Sequence, residues 1–288
     1  MSIWADLSRE PYCLEFVDAA GISTRSLQAG DGEAMLLLHG TSSHLEVWSR
    51  NLHPLARAGF RVHAIDMVGH GFSGKPDRGL EIPDYVAHTV AYLDAAGIDR
   101  VHLVGEALGG WVAAWLASEH HDRVASLQMV TSGGTRAVPA VMQRVRETTS
   151  GAVTSPDRDR TRSRITGLLH DPESVDEDLV DVRYGIYHDP AFVANLPNLL
   201  RLQDMEVRQR NLLRPDRMGR ITAPTRVYWG RHNPMGDVTE GEGIHAAIPG
   251  SQLRIFEDCG HFPQIEVTDE FNREIVAFAT SHLTKAAA

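Results

Sequence analysis

Four short segments carry residue types suited to acyl-transfer or proton-transfer chemistry, each at a point where the chain must turn sharply. They are His39-Gly40-Thr41-Ser42, the run Asp66 to Ser73, Gly105-Glu106-Ala107-Leu108-Gly109-Gly110, and Cys259-Gly260-His261-Phe262. The third has the spacing of a nucleophile elbow, G-x-S-x-G. That strained strand-to-helix turn uses its outer glycines for close approach and projects its central residue into a pocket. The central residue is Ala107, and a methyl group cannot attack a carbonyl. Two readings stay open: a serine replaced to trap a bound substrate, or a protein that naturally lacks the nucleophile. A G-x-x-x-G turn alone is weak; it gains weight from the apolar run before it, His-Gly upstream and Gly-His downstream.

His261 is the candidate general base, since the order nucleophile, acid, histidine would be kept. The acid is the least defined member. Asn233, in Trp229-Gly230-Arg231-His232-Asn233, could orient the imidazole but cannot stabilise an imidazolium by charge. In the worked serine-protease template the equivalent Asp→Asn change lowers the rate about 10⁴-fold. Asp237 is the alternative acid; its structural reading is a helix N-cap, because Asp237-Val238-Thr239-Glu240 fits a capping box. An oxyanion hole would use the backbone N–H of Leu108 and that of Thr41 or Ser42. There is no H-E-x-x-H motif and no His/Cys cluster, and Gly105-x-x-x-Gly109-Gly110 is not a dinucleotide fingerprint, so neither metal nor cofactor is expected.

These segments need strand ends to hold them. Tyr12–Asp18 and Ile22–Leu27 read as strands joined by a turn. An apolar run at Ala34–Leu38 and further strands at Arg61–Asp66, Val101–Val104 and Val124–Thr131 then alternate with helical patterns at Asp84–Ala96 and Leu108–Ser118. Fully apolar strands alternating with helices predict a parallel sheet covered on both faces. After Thr131 the alternation stops. An Arg- and Asp-rich stretch follows, with helix starts expected at Ser155-Pro156, Asp171-Pro172 and Asp189-Pro190. Strands return at Thr225–Trp229 and Leu253–Phe256, with a last helix near Asp269–Leu283. The expected division is a core of residues 1–135 and 216–288 and a helical insertion over 136–215.

Within 288 residues, 28 Lys and Arg face 38 Asp and Glu, a net charge of −10 that argues against a nucleic-acid surface. Cys13 and Cys259 are the only cysteines, too few for a disulfide scaffold. No signal-peptide pattern and no apolar stretch near 18 residues is visible. The expectation is a soluble cytoplasmic protein acting on a small molecule, with no membrane or nucleic-acid partner.

Taken together, the chain resembles the α/β-hydrolase superfamily over nearly its whole length. Within it, the chain is most similar to the meta-cleavage-product hydrolases, which cleave a carbon–carbon bond in 2-hydroxy-6-oxo-hexa-2,4-dienoates. The narrower likeness rests on Val101-His102-Leu103-Val104-Gly105, on Cys259-Gly260-His261 with Pro263-Gln264-Ile265-Glu266, and on Arg183-Tyr184. The resemblance implies an α/β-hydrolase fold with residues 136–215 as a helical lid, a cofactor-free serine-type mechanism, and a homodimer as candidate assembly. It implies that Arg183, followed by the aromatic Tyr184, grips the substrate carboxylate, as suits a planar guanidinium. Glu106, Trp111 and Phe262 are counted with the pocket. Three positions depart from the family pattern: Asn233 where Asp is expected, Glu106 where Asn is usual, and Phe262 where Trp is frequent. A Glu106 carboxylate would repel an anionic substrate, which favours an uncharged ester or lactone as the alternative. Further alternatives are a non-catalytic binder using the pocket as a receptor, and a cofactor-free lyase or dioxygenase. His44, Glu46 and Trp48 read as surface-helix residues, and Asp66 and Ser73 as structural.

Overall fold

The computed structural model describes residues 2–283. Its strands are β1 (Cys13–Ala19), β2 (Ile22–Ala29), β3 (Glu33–Leu38), β4 (Phe60–Ile65), β5 (Val101–Glu106), β6 (Val124–Val130), β7 (Thr225–Gly230) and β8 (Gln252–Phe256). They form one sheet in the order β1-β2-β4-β3-β5-β6-β7-β8. β1 and β2 are antiparallel, and every pair from β4 onward is parallel. The β1–β2 turn puts Ala20 and Gly21 at φ 53° and 84°. Two successive positive φ values match the twist of a tight hairpin, and Asp18 accepts the Gly21 N–H at 2.6 Å.

The central strands are buried along their length, β5 and β6 completely. They therefore need helices on both faces. One face packs against α3 (Ile82–Ala95), α4 (Leu108–Glu119) and α11 (Val238–Ala247). The other packs against α2 (Ser49–Arg57) and α13 (Thr268–Thr280). A short α1 (Ile3–Leu7) leans on α2. α4 is buried nearly all round, which explains why its sequence, Leu108-Gly-Gly-Trp-Val-Ala-Ala-Trp, shows no polar face.

Between β6 and β7 the chain is helical: α5 (Pro139–Thr154), α6 (Arg158–Thr166), α7 (Glu177–Tyr187), α8 (Pro190–Leu199), α9 (Met205–Asn211) and α10 (Pro215–Met218). Of these, α5, α7 and α8 share a small apolar core of their own that includes Val145, Tyr187 and Phe192. Two of the three expected starts need correction. α6 begins at Arg158 with Asp157 as its cap, because Ser155 accepts the Asp157 N–H and closes a turn instead. Asp171 caps only a three-residue 3₁₀ turn. Asp189-Pro190 does open α8, with Asp189 accepting from Ala191 and Phe192.

Candidate active site

β5 passes into α4 through Ala107, at φ 48° and ψ −106°. A non-glycine residue there is strained by about 1–3 kcal/mol, and such strain persists only where the surroundings over-determine it. The surroundings do. Ala107 N–H donates to Val130 O at 3.0 Å, and Ala107 O accepts from Trp111 and Gly133 N–H, each at 3.1 Å. A Cβ on Gly105 would lie 2.3 Å from Gly109 O, and one on Gly109 would lie 2.2 Å from Leu38 O. Only glycine lets strand and helix meet so closely. Between Val101 and Gly110, Ala107 alone is not buried; it faces a cavity.

His261 faces the same cavity from the loop after β8. Its N–H donates to Leu168 O in the helical insertion at 2.9 Å, and its carbonyl accepts from Thr131 Oγ1 at 2.8 Å. Glu266, on α12 (Pro263–Glu266), accepts the N–H groups of Gly260 and Phe262 on either side, both at 2.9 Å. The loop is thus clamped from three directions. His261 Nδ1 lies 2.8 Å from Asn233 Oδ1. The same Oδ1 accepts the Met235 N–H at 3.1 Å, so it must be the amide oxygen and Nδ1 must carry a proton. Asn233 thereby takes the acid's place and fixes the tautomer while adding no charge.

The other ring nitrogen has an unexpected neighbour. His261 Nε2 is 3.0 Å from Glu106 Oε1, off the line of a hydrogen bond. Glu106 is 1% exposed, and neither carboxylate oxygen has a hydrogen-bond partner among the described residues. Its Oε2 lies so near Gly40 that a Cβ there would be 2.6 Å away. The carboxylate therefore stands between the imidazole and the His39-Gly40 loop. The candidate oxyanion-hole donors sit beside it: Leu108 opens α4, so its N–H has no partner within the helix, and the Thr41 N–H donates to no described atom. Ser42, the other candidate, does not line the cavity; its φ is 57° and its carbonyl and hydroxyl accept from Tyr187.

The cavity encloses about 960 Å³ of space not filled by atoms, part of it open to solvent. Arg136, Arg164, Arg183 and Arg208 line it, against the carboxylates Glu106 and Glu240. Arg183 is 2% exposed. Its Nη2 donates to Ser43 Oγ at 2.9 Å and its Nε to His44 Nε2 at 3.3 Å, which leaves Nη1 for a ligand. His44 Nδ1 in turn donates to Glu46 at 2.7 Å, and Glu46 pairs with Arg25 at 2.5 Å. Burial depresses the His44 pKa, keeping the ring neutral so that Nε2 can accept from Arg183. Burial would raise the Glu46 carboxyl, but His44 and Arg25 outweigh it and hold it at about 2. Arg164 uses only its Nε, toward Thr149 Oγ1 at 3.4 Å, and burial lowers its pKa. Arg208 lies 4.7 Å above the Trp111 ring, with its pKa lowered by burial to about 10.

Several expectations are corrected by this geometry. Asp237 is exposed, caps α11 by accepting the Thr239 N–H, and does not reach His261. Tyr184 turns from the cavity; its hydroxyl donates to Pro156 O, and its ring packs on His188. His44, Glu46 and Trp48 are buried, not on the surface, because a 3₁₀ turn tucks them inward, His44 against Arg183 and Trp48 against Phe271. Trp111 and Phe262 do line the cavity. Asp66 accepts the N–H groups of Leu45 and Phe72 and supports that turn. Arg136, Arg164 and Arg208 were not singled out in the sequence; in so Arg-rich a stretch only packing distinguishes them.

The chain matches the family model of the α/β hydrolase fold over residues 33–267. It is 31% identical over 262 residues to the 2-hydroxy-6-oxo-6-phenylhexa-2,4-dienoate hydrolase of Comamonas testosteroni, covering 87% of this chain and 89% of that one. It is 31% identical over 260 residues to a 2-hydroxy-6-oxononadienedioate/2-hydroxy-6-oxononatrienedioate hydrolase of the same species, covering 87% and 88%. Among solved structures, it superposes with a TM-score of 0.81 and 26% identity on a serine-to-alanine mutant of the meta-cleavage product hydrolase CumD from Pseudomonas fluorescens IP01, complexed with acetates. That match covers 93% of this chain and 97% of that one.

Proposed function

Because the chain belongs to the α/β-hydrolase family, in its meta-cleavage-product hydrolase branch, we propose that its ligand is a 2-hydroxy-6-oxo-dienoate and that its pocket is built for carbon–carbon hydrolysis. The observation that carries this reading is the pair Arg183 and Arg164. Both present unused guanidinium N–H groups to a cavity that also holds the elbow and the imidazole. A carboxylate held there by charge-assisted bonds would direct the dienoate chain toward Leu108 and Thr41. Residues 136–215 act as the lid that supplies these arginines.

With a serine at position 107, His261 would deprotonate Oγ, and Oγ would attack the 6-oxo carbon. The C5–C6 bond would break with C5 taking a proton, and water would release the acyl group. Ala107 closes that route, so the chain as it stands binds the dienoate without forming an acyl enzyme. The alternative, an ester or lactone hydrolase, is favoured by the buried Glu106 carboxylate in the same cavity, which would repel an anionic substrate.

The test is a panel of a 2-hydroxy-6-oxo-dienoate, a short p-nitrophenyl ester and an aromatic lactone. Each is titrated against the chain and then offered to the Ala107→Ser variant. Saturable dienoate binding, with bleaching only in the variant, supports the proposal. Ester or lactone cleavage without dienoate binding replaces it by the alternative. The two free cysteines support a cytoplasmic setting. The homodimer would use the open sheet edge at β1, where Leu14 and Phe16 are exposed.

A further inference from the structure

The cavity has a second cationic end, away from Arg183. Arg183 is tied to Ser43 and His44, in the loop after β3. At the other end Arg208, on α9, lies over the Trp111 ring. Its Nε donates to Arg136 O, in the loop after β6, at 3.1 Å. Glu240, on α11 after β7, lines the same end. In the sheet order β3-β5-β6-β7 the elbow after β5 stands between the two ends. With strands about 4.8 Å apart, a ligand joining them spans about 10–15 Å. Trp111 is fixed: its Nε1 donates to Asn211 O at 3.0 Å, and Gly134 packs so near that a Cβ there would lie 2.3 Å from the indole Cγ. The ring thus holds the guanidinium above it in place. Arg208 Nη1 and Nη2 have no partner among the described residues. Gln203, just before α9, is 8% exposed and lines the cavity, and its side-chain amide has no hydrogen bond among the described residues. Arg136 Nη2 donates to Thr239 Oγ1 at 3.1 Å, and Glu240 accepts from Thr135 Oγ1. Two guanidinium groups therefore face one carboxylate at this end, which leaves a surplus of positive charge.

We infer that Arg208 and Gln203 form a second anchor, which takes a carboxylate carried on the C6 substituent of the dienoate. The inference rests on the dienoate class proposed above. With the C1 carboxylate at Arg183 and C6 at the elbow, whatever C6 carries lies toward Trp111 and Arg208. A neutral aryl group there would shut the surplus charge away from water without a partner, which is costly. A carboxylate instead accepts the Arg208 Nη groups in charge-assisted bonds and the Gln203 amide N–H beside them. Leu202, Met142 and Val138 line the cavity as apolar walls for the short stem that joins this carboxylate to C6. The ligand is thus a dianion gripped at both ends. One anion at each end also sets its register, since the two anchors together fix which carbon faces position 107.

The experiment is calorimetry on the unaltered chain with two 2-hydroxy-6-oxo-dienoates that differ only at C6, one bearing phenyl and one bearing carboxyethyl. The carboxyethyl compound should bind about tenfold tighter or better. Arg208→Gln should abolish or invert that ratio, and Gln203→Leu should lower it. Arg208→Lys should keep part of it, since a point charge on a flexible stem replaces the planar fork. Arg183→Ala should weaken both compounds alike, because both carry the C1 carboxylate. Equal or tighter binding of the phenyl compound by the unaltered chain overturns the second anchor and leaves the dienoate class standing. An unchanged ratio in Arg208→Gln, with both affinities reduced in proportion, also overturns the anchor, because it marks only a packing role against Trp111. Binding of neither compound overturns the dienoate class and the anchor with it.

Discussion

Placing a serine at position 107 should not by itself produce a fast hydrolase, and the shortfall can be worked from the site. The elbow backbone already holds φ 48° and ψ −106° with Ala107, so Ala107→Ser adds a hydroxyl toward the cavity and should change stability by only about 0.5 kcal/mol. The obstacles are on the imidazole. Asn233 supplies no charge to Nδ1, a deficit of about 10⁴ in the serine-protease template, or roughly 5.5 kcal/mol. Glu106 Oε1 stands 3.0 Å from Nε2, so it occupies the side of the ring from which a serine hydroxyl must approach. An imidazole nitrogen already faced by a carboxylate is poorly placed to take the serine proton. The two effects are coupled. Adding Asn233→Asp while Glu106 remains would flank the ring with two carboxylates and leave Nε2 still obstructed. We expect Ala107→Ser and Ala107→Ser/Asn233→Asp to cleave slowly and at similar rates. Glu106→Asn/Ala107→Ser/Asn233→Asp should exceed both by about 10⁴-fold. Single-turnover loss of dienoate absorbance under excess enzyme reads the chemical step directly. If Ala107→Ser alone comes within about tenfold of the triple variant, neither Glu106 nor Asn233 governs the base, and the argument fails.

Arg183→Ala should weaken dienoate binding about 10- to 100-fold, the range for a charge-assisted hydrogen bond; unchanged affinity by calorimetry would remove it as the anchor. Glu46→Gln should destabilise the fold by about 3 kcal/mol near pH 7, because Arg25 and His44 lose a buried partner. The Glu46 carboxyl is held at about 2, below its ordinary 4.5. Its stabilisation is therefore present above about pH 4.5 and disappears as pH falls toward 2. Denaturant titrations of both proteins should accordingly converge in acid, and a gap that stays constant would refute the linkage. Gly109→Ala should lower stability by about 3 kcal/mol or prevent folding in urea titrations, since its Cβ would meet Leu38 O at 2.2 Å.

The alternation of strands with helices was legible because a strand buried on both faces is mostly apolar: β3 carries the unbroken run Ala34–Leu38, and β4 to β7 stay largely apolar despite single polar residues such as His63, His102 and Gln128. The elbow was legible because its glycines answer to local contacts, at Gly105 against Gly109 and at Gly109 against Leu38. The position of His261 followed from chain order, and Asn233 was recognisable as its orienter. The start of α6 was misread because Ser155 and Asp157 both suit a cap, and only the turn they close decides between them.

What the sequence alone determined is the set of local constraints: strand, turn and cap preferences depend on neighbours a few residues away. What the tertiary structure decided is every relation across the sheet. It seated the Glu106 carboxylate against an imidazole 155 residues further along the chain. It reduced Asp237 to a helix cap and turned Tyr184 outward. It buried His44 and Glu46 as supports for Arg183, and it chose Arg164 from among the many arginines of the insertion. Each outcome depends on which groups are excluded from water together, and distant segments acquire that shared environment only when the sheet and the insertion close over them.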